Sequence, residues 1–485
     1  MVRAILCVVI AVGFSISAFA QRSITLSKGT VVTFRTVAED IGYPASLTQE
    51  PNGMLWLTDR ATGRVLRVDP GTGAATTVLE VKLTSDPNDP TIRGGVYGLA
   101  LHPAFANGMP YVFVSTTTAD DRLIIEKYRF SGDRLVNPVV IYVTNGVPHS
   151  LGLTMEALAD NTLLVSVASF DTQDPIRLDN VNGKIIRMTF EGEAVTSNPM
   201  FDANNPHSAR SYIYSTGHRN PLGLVQLPVT HATIPGAVFS SECGPRSFDE
   251  INRIEPGRNY GWLNVAGYCT TATQGLACPL ATMNQAPSGM AYYPSSAIPE
   301  WTNSLLLGTL RGEGMVVAEL NPAGTISNIN TENPVDDVME LSSDQLVDLS
   351  LQGELEKVID VTVASDGRIY VALFESSDAK RGRIIALENL AVHGPLSVDG
   401  EELATSNGFH FGPNPVNDVL NVSLDRPFAT SWSATIVDLN GATVSSAQFT
   451  SASTQISLLT ADLAPGAYML VVKDASQIMT TTFIR

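Results

Sequence analysis

Charged residues are scarce in this 485-residue sequence, at 16% against roughly 25% in typical soluble proteins. Cations are the scarcer sign, because 30 Lys and Arg stand against 48 Asp and Glu, for a formal net charge of −18. A field of this sign repels nucleic acid and anionic membrane surfaces, so we expect neither as a partner. Neutral small molecules remain open as ligands.

Long apolar runs are also lacking. After the N-terminus, no segment approaches the ~20 uninterrupted apolar residues that span a bilayer, so we expect no transmembrane segment in the mature chain. The N-terminus itself has the pattern of a secretory signal, with Arg3 before an apolar stretch at 4–14 and Ala-Phe-Ala at 18–20. We therefore expect residues 1–20 to be a signal peptide, with a mature chain that begins near Gln21 outside the cytoplasm.

Cysteine is nearly absent. Of the four cysteines, Cys7 lies in the predicted signal, which leaves Cys243, Cys269 and Cys278. One disulfide and one free thiol are the simplest expectation in an oxidising compartment. Cys269 could pair with Cys278, or Cys243 could pair with either of them. The spacings contain no C-x-x-C pair, which argues against a zinc site.

Turn formers, by contrast, are abundant: 38 Gly and 28 Pro beside 44% hydrophobic residues predict an all-β fold with a sizeable core. A turn of Gly, Asn or Asp followed by a short apolar strand recurs along the chain. The clear copies begin at Asn52, Asn107, Asp160 and Asp366, and looser ones at Arg210 and Asn303. The first three are spaced by about 50 to 55 residues, near the period of a four-stranded propeller blade. We expect a six-bladed β-propeller over residues 21–395, with an array of β-sandwiches as the alternative.

The composition changes after Leu390, where residues rich in Gly, Pro, Asn and Ser predict a linker at 396–408. From 409 to 485, short strands such as VLNVSL and AYMLVVKD alternate with turns at the density of a small Ig-like β-sandwich. The segments GPNPVNDVLNVSL from Gly412, DLNGATV from Asp438 and LTADLAPGAYMLVV from Leu459, with the ending TTTFIR, resemble the C-terminal sorting domain of type IX secretion cargo.

That resemblance implies a partner, the type IX secretion machinery. It also implies export through the periplasm and outer membrane of a Gram-negative bacterium, to the medium or the cell surface. The alternative is an ordinary C-terminal module for binding or stability.

One loop is patterned more densely than a plain connection. GPRSFDEINRIEPGRNYGW, residues 244–262, places charges, turn formers and an aromatic pair between two strand-like segments. With the three residues before it, this loop reads SECGPRSFDEINRIEPGRNYGW from Ser241. Together with GHRNPLGL from Gly217, GGVYGLALHPAF from Gly94 and NGKIIRM from Asn182, this motif resembles the soluble quinoprotein glucose/sorbosone dehydrogenase family. The resemblance implies a six-bladed propeller and the oxidation of a sugar or related alcohol by pyrroloquinoline quinone (PQQ) over a calcium ion.

The resemblance also implies roles for individual residues. His149, in PHSLGL, would be the general base, a role that suits a side chain titrating near neutral pH. Arg219 would contact the cofactor and stabilise developing negative charge, and Asn220 would hydrogen-bond the same region. The main-chain carbonyls of Gly244 and Pro245 would be the calcium ligands, since calcium takes oxygen ligands.

Three further positions would contact the cofactor: Gln173, Arg311 and Lys357. The carboxylates of the cofactor call for cations, which Arg311 and Lys357 would supply. The sequence also departs from the family pattern. Ile359 stands where a second basic residue is common, and Pro148 stands where the glucose enzyme has an acidic residue. These departures favour a competing hypothesis, a non-catalytic extracellular propeller that binds carbohydrate or protein.

Structural roles compete with functional ones for several charged residues. We expect a salt-bridged loop that fixes geometry to be formed mainly by Asp249, Glu250, Arg246 and Arg253. Arg219 could instead form a salt bridge in a loop between blades. His218 has no predicted role.

Overall fold

The computed structural model describes most of the chain before the predicted linker and the strands after it. The described ranges are 22–83, 94–147, 153–170, 175–267, 275–311, 314–329, 339–349, 356–375, 382–393, 409–412, 419–424, 432–438, 443–450, 455–461, 463, 467–473 and 478–484. The predicted signal peptide and linker lie outside these ranges. The α-helices in the described part are two four-residue turns, α1 (Ala209–Tyr212) and α2 (Leu390–His393).

Strands dominate and are grouped into antiparallel sheets. The first two strands are β1 (Arg22–Thr25) and β2 (Val31–Ala38). Blades 1 to 3 are β3 (Pro44–Gln49), β4 (Leu55–Asp59), β5 (Arg64–Val68), β6 (Ala75–Glu80); β7 (Gly95–Leu101), β8 (Tyr111–Thr117), β9 (Arg122–Ser131), β10 (Arg134–Asn145); and β11 (Met155–Ala157), β12 (Thr162–Val167), β13 (Lys184–Thr189), β14 (Ile213–Thr216). Blades 4 to 6 contain β15 (Pro221–Gln226), β16 (Val238–Glu242), β17 (Asp249–Ile254), β18 (Ala281–Met283); β19 (Pro287–Tyr293), β20 (Ser304–Thr309), β21 (Gly314–Glu319), β22 (Leu346–Asp348); and β23 (Glu356–Val363), β24 (Ile369–Glu375), β25 (Gly382–Glu388).

The first strands of the blades form a closed ring. β3, β7, β11, β15, β19 and β23 contact one another in that order, and β23 contacts β3 again. Blades 1 to 5 are meanders in which strands follow each other in chain order, the arrangement of a propeller. The predicted six-bladed propeller is therefore confirmed, and the array of sandwiches is wrong.

In blade 6, strands from the N-terminal and C-terminal ends of the propeller sequence pair in one sheet. β2 pairs with β25 and β1 lies outside it, so the sheet order is β1, β2, β25, β24, β23. Glu388, fully buried on β25, lies 3.3 Å from Arg35 on β2 and 2.8 Å from Arg368. This buried ion network reinforces the joint, because removing one partner would leave an unpaired charge in the interior.

Side-chain hydrogen bonds tie each blade to the next. Hydroxyls donate to main-chain oxygens of the following blade in the pairs Thr58 to Tyr97 (2.7 Å), Ser115 to Leu153 (3.2 Å), Ser166 to Pro221 (3.0 Å), Ser241 to Ser288, and Ser288 to Val358 (2.6 Å). Between blades 6 and 1 the Asp360 carboxylate accepts from the Leu47 amide at 2.7 Å. Six polar contacts thus run once around the ring.

The recurrent turn-and-strand pattern of the sequence corresponds to one position in the blade. The copies that begin at Asn52, Asn107, Asp160, Asn303 and Asp366 contain or precede the second strands β4, β8, β12, β20 and β24. The copy at Arg210 also contains a strand but differs in position, because this strand is β14, the fourth of blade 3. The second strand of blade 4 is β16, which the pattern did not identify.

The C-terminal region forms two sheets of its own. Its strands are β26 (Phe409–Gly412), β27 (Val419–Leu424), β28 (Trp432–Asp438), β29 (Thr443–Phe449), β30 (Gln455–Leu459), β31 (Ala467–Lys473) and β32 (Ile478–Ile484). One sheet has the order β26, β27, β30 and the other β29, β28, β31, β32, and Leu420, Trp432 and Leu470 share one core. This is the predicted small β-sandwich.

Within the described residues, no helix has the length and apolar character required to cross a membrane.

Candidate active site

The described residues of the predicted site lie at one end of the propeller, which we call the site face. The chain enters each first strand at this end, and because neighbouring strands are antiparallel, the loop from second to third strand returns there. Arg219 and Asn220 directly precede β15, and Lys357 lies at the start of β23. Gly244 and Pro245 lie between β16 and β17, and Arg311 lies between β20 and β21.

Two predicted site residues, His149 and Gln173, lie outside the described residues, as does Pro148. Their roles remain predictions.

Arg219 is enclosed by main-chain oxygens and aromatic rings. Its Nη1 donates to the carbonyls of Cys243 at 2.9 Å and Gly244 at 2.8 Å. The guanidinium carbon lies 5.3 Å from the ring centroid of Phe170 and 5.5 Å from that of Trp262, within the range of cation–π attraction. The ion pairs found among the described residues do not include Arg219, so the alternative of a salt bridge is not supported. The guanidinium is therefore held firmly but keeps its charge for a ligand.

Glu242, at the end of β16, holds the chain on either side of Arg219. Its Oε1 accepts from the main-chain amides of Arg219 and of Asn220, the latter at 3.3 Å. Its Oε2 lies 3.0 Å from His218 Nδ1, and the other ring nitrogen of His218 lies 2.8 Å from the hydroxyl of Ser215. All of these side chains except those of Arg219 and Asn220 are buried. The segment that carries Arg219 is thus anchored from below by a buried carboxylate.

Asp249 ties the predicted calcium loop to Arg311. The fully buried Asp249 carboxylate accepts from the amides of Gly244 at 2.9 Å and Ala286 at 2.7 Å. Arg311 Nη2 lies 3.1 and 3.0 Å from its two oxygens, and Arg311 Nη1 donates to the carbonyl of Arg246 at 2.6 Å. Burial raises the pKa of Asp249, while the two amides and Arg311 act in the opposite direction. Arg311 therefore fixes the loop, whatever else it contacts.

The predicted salt-bridged loop of Asp249, Glu250, Arg246 and Arg253 is thus wrong in its partners. Asp249 pairs with Arg311 instead, and Glu250 accepts hydrogen bonds from the Gly267 amide at 2.6 Å and the Asn252 side chain at 3.0 Å.

Glu250 also lies directly opposite Glu242 on the neighbouring strand. Burial and the nearby charge of Glu242 raise the pKa of Glu250.

Gly244 occupies a tight turn that has no room for a side chain. A Cβ at this position would lie 2.3 Å from the carbonyl oxygen of Ser247 and 2.6 Å from that of Phe248. Phe248 itself has a φ of 63°, in the left-handed region that favours glycine. The chain therefore accepts strain to turn back here, and the turn leaves Pro245 exposed.

Two polar atoms of the predicted site have no partner within the described part of the chain. They are the buried Nε of Arg219, a donor, and the buried Oδ1 of Asn220, an acceptor. Buried polar atoms are normally paired, so an orphaned donor and an orphaned acceptor on consecutive residues are candidates for contact with a ligand. Lys357 is exposed on the same face. Among the described residues, no three His, Cys, Asp or Glu side chains are grouped as a metal site would need.

The structure shows the state of two of the three cysteines, Cys243 and Cys278. Cys243 is a free, buried thiol that donates to the carbonyl of Pro287 at 3.3 Å, and burial raises its pKa to about 12. Cys278 is disulfide-bonded. The pairing of Cys243 with either of the other two cysteines is therefore wrong, which leaves the predicted pair Cys269–Cys278; Cys269 lies outside the described residues.

A cavity of about 810 Å³ opens on the propeller axis at the end opposite the site face. First strands of all six blades contribute to its wall, and it contains none of the predicted site residues. Glu156 and Asp360 line this axial cavity from opposite blades, and removal from bulk water raises the pKa of each carboxyl to about 7.

Sequence reasoning missed three residues of the site. Glu242 ends the strand VFSSE and belongs to the motif that begins at Ser241, but no role was predicted for it, although a carboxylate at the end of an apolar strand is itself a signal. His218 received no role, and Phe170 carried no local signal at all. Trp262, by contrast, belongs to the aromatic pair of the patterned loop.

Comparisons with known proteins identify the families to which the two parts of the chain are similar. Residues 41–386 match the family described as Glucose / Sorbosone dehydrogenase, and residues 411–485 match the family described as Secretion system C-terminal sorting domain. The chain is 30% identical over 344 residues to quinoprotein glucose dehydrogenase B of Acinetobacter calcoaceticus, covering 61% of this chain and 69% of that protein.

Solved structures give the same picture. The PQQ-bound aldose sugar dehydrogenase of Streptomyces coelicolor is 27% identical, with a TM-score of 0.57, covering 74% of this chain and 98% of that one. A putative oxidoreductase (glucose dehydrogenase) of Thermus thermophilus is 27% identical, with a TM-score of 0.56, covering 73% of this chain and 99% of that one. The chain therefore belongs to the glucose/sorbosone dehydrogenase family and carries a C-terminal secretion-system sorting domain.

Proposed function

We propose that this protein is an exported oxidoreductase that oxidises a sugar or related alcohol, with PQQ as its cofactor and a calcium ion beside it. One observation carries the proposal. Arg219 is a half-buried cation with no carboxylate partner within the described residues, although the protein has a net charge of −18. A partly buried cation that no carboxylate contacts directly is costly unless an anion binds it, and PQQ is a tricarboxylate.

The residues present fit this cofactor. The orphaned Arg219 Nε could donate to a quinone or carboxylate oxygen, and Asn220 Oδ1 could accept from a polar group of the ligand. Arg311 and Lys357, and Gln173 as predicted, would meet the remaining anionic groups. The carbonyls of Gly244 and Pro245 would hold calcium, since a carbonyl oxygen has two lone pairs and that of Gly244 already accepts from Arg219.

The chemistry divides between the cofactor and the chain. When bound, the quinone supplies a two-electron acceptor for the hydride that leaves the alcohol carbon. His149 would take the hydroxyl proton of the sugar, as a base that titrates near neutral pH can. Arg219 would stabilise the negative charge that develops as electrons arrive. Phe170 and Trp262 lie within cation–π range of its guanidinium and would hold it in place for this role.

The location follows from the two ends of the chain. The sorting domain at 411–485 would direct the protein to the type IX machinery, after residues 1–20 have led it into the periplasm of a Gram-negative bacterium. The protein would then act in the medium or on the cell surface.

Calorimetric titration of the mature chain with PQQ, with and without calcium, tests the proposal. We expect calcium-dependent binding at micromolar affinity or tighter, and micromolar affinity corresponds to a binding free energy of about −8 kcal/mol. Arg219→Ala should weaken this binding, whereas Arg22→Ala, on the outer strand β1, should not. His149→Ala should bind PQQ but fail to reduce an artificial acceptor with aldoses. No PQQ binding by the wild type would instead favour the non-catalytic binding propeller.

A further inference from the structure

Glu242 and Arg219 each hydrogen-bond to the main chain around the other residue, and their two charged groups do not pair directly. The Glu242 carboxylate accepts from the main-chain amides of Arg219 and Asn220. The Arg219 guanidinium donates to the carbonyls of Cys243 and Gly244, the two residues that follow Glu242. We call this reciprocal arrangement the clasp. It links the loop before β15 to the loop after β16 through four hydrogen bonds in two directions.

We propose that Glu242 is a positioning residue, and that through the clasp it sets where the Arg219 guanidinium and the Gly244 carbonyl stand relative to each other. The consequence for the reaction rests on the proposed function, because these are the groups assigned there to the quinone and to calcium. The clasp itself does not depend on that assignment.

The chemistry of a carboxylate suits this task. An ionised carboxylate only accepts hydrogen bonds, and Glu242 meets three donors: two amides at one oxygen and His218 at the other. Hydrogen bonds to an ion are stronger than neutral ones, so the segment 218–220 is held more tightly than a neutral amide could hold it. Because Glu242 contacts the backbone of Arg219 and not its guanidinium, the cation remains available to a ligand.

The clasp extends to the rest of the predicted site. The Gly244 amide donates to Asp249, and Asp249 pairs with Arg311. Displacement of Arg219 therefore removes the hydrogen bond to the Gly244 carbonyl, while the hydrogen bond from the Gly244 amide to Asp249 remains. Loss of Glu242 should accordingly loosen this loop, and not unfold it.

Hydrogen exchange on the mature full-length chain tests the clasp without any cofactor. Glu242→Gln keeps the shape of the side chain but removes its charge. We expect amide exchange to quicken about tenfold or more, the factor equivalent to 1.4 kcal/mol, in both 217–221 and 243–249. The control Glu388→Gln removes another buried carboxylate, in blade 6, and should quicken exchange near β2 and β25 only. Faster exchange in 217–221 alone, with 243–249 as in the wild type, would overturn the proposal.

A second variant covers the case in which Glu242→Gln does not fold. Arg219→Ala removes the other half of the clasp and should quicken exchange in 243–249 by a similar factor. Wild-type protection of 243–249 in Arg219→Ala would also overturn the proposal.

Double-mutant binding then separates positioning from general damage. If Glu242 acts through Arg219, Glu242→Gln should weaken PQQ binding in the wild-type background but cost little more once Arg219 is Ala. Equal losses in both backgrounds would show that Glu242 acts by another route. A wild type that fails to bind PQQ would refute the proposed function, and the exchange experiment would still decide the clasp.

Discussion

The hydroxyl of Thr58 donates a hydrogen bond of 2.7 Å to the main-chain oxygen of Tyr97, and so crosses from blade 1 to blade 2. Thr58 lies on the second strand of its blade and Tyr97 on the first strand of the next. Blades 2, 3 and 4 repeat the relationship with serine on the second strand. Because both partners are buried, the contact replaces water with protein at each seam between blades.

Ser166→Ala should reveal what one such seam contributes. The serine is fully buried and donates to Pro221 at 3.0 Å, so the change removes the bond and leaves the carbonyl without this donor. We expect the free energy of unfolding to fall by about 1–2 kcal/mol in urea denaturation. Ser131→Ala, at an exposed strand end, should change it by less than about 0.5 kcal/mol. Equal effects of the two changes would contradict a role for the seams.

The axial cavity should make stability depend on pH. The folded protein holds the Glu156 proton up to a pKa of about 7, whereas an unfolded Glu releases it near about 4.3. The contribution of this protonated carboxyl to the free energy of unfolding is therefore fully present below the unfolded pKa, and it is lost as the pH rises through the folded pKa. Glu156→Gln retains an oxygen to accept from the Gln226 amide but does not titrate.

Urea unfolding at a series of pH values from about 5 to about 8 measures this effect. We expect a smaller loss of unfolding free energy with rising pH in Glu156→Gln than in the wild type. Asp360 remains in the variant, so part of the slope should persist. The exposed Glu255→Gln should leave the slope unchanged. A slope identical in Glu156→Gln and wild type would rule out this carboxyl as a cause.

Gly244→Ala should damage the site and spare the propeller. Its Cβ would lie 2.3 Å from the carbonyl oxygen of Ser247, a backbone atom that cannot move without its loop. We expect PQQ affinity to fall at least about tenfold, the factor for 1.4 kcal/mol, with the melting of the propeller little changed. In the control Gly71→Ala, the Cβ meets only a side-chain oxygen of Asp69, at 3.2 Å, and PQQ affinity should be retained.

The thiol of Cys243 should resist modification in the native protein. It is 8% exposed and its pKa is raised to about 12, so almost no thiolate is available at neutral pH. Titration with a thiol reagent should find no reactive group in the folded mature chain and one after denaturation without reductant. Three groups in denaturant would contradict the disulfide at Cys278.

The sequence predicted the parts of the fold that are local. Second strands such as β4 and β24 follow a turn with a short apolar run, and both signals lie within about ten residues. The closure of blade 6 could not be predicted in this way, because β2 pairs with β25 and nothing near Thr33 identifies Glu388 as its partner. Such pairing depends on the geometry of the whole ring.

The same distinction applies to the candidate site. Arg219, Gly244 and Arg311 were predicted from short motifs that resemble the family, and the structure places them at one end of the propeller. Glu242 was missed because its partners are more than twenty residues away and its strand reads as an ordinary one. Arg311 was predicted as a cation, but its pairing with Asp249 depends on a loop of blade 5 meeting the start of β17 in blade 4.

The joint in blade 6 also determines when the propeller can be complete. β2 is among the first segments of the described chain to be synthesised, and it must wait for β25, almost the whole length of the propeller later. Pairing between such distant segments is slow, since a large loop has to be ordered before the contact forms. Until residue 388 is available, β2 lacks its partner β25 and blade 6 is incomplete. The propeller can therefore be completed only after its whole sequence has been synthesised, when the sorting domain at 411–485 is the next folded part of the chain.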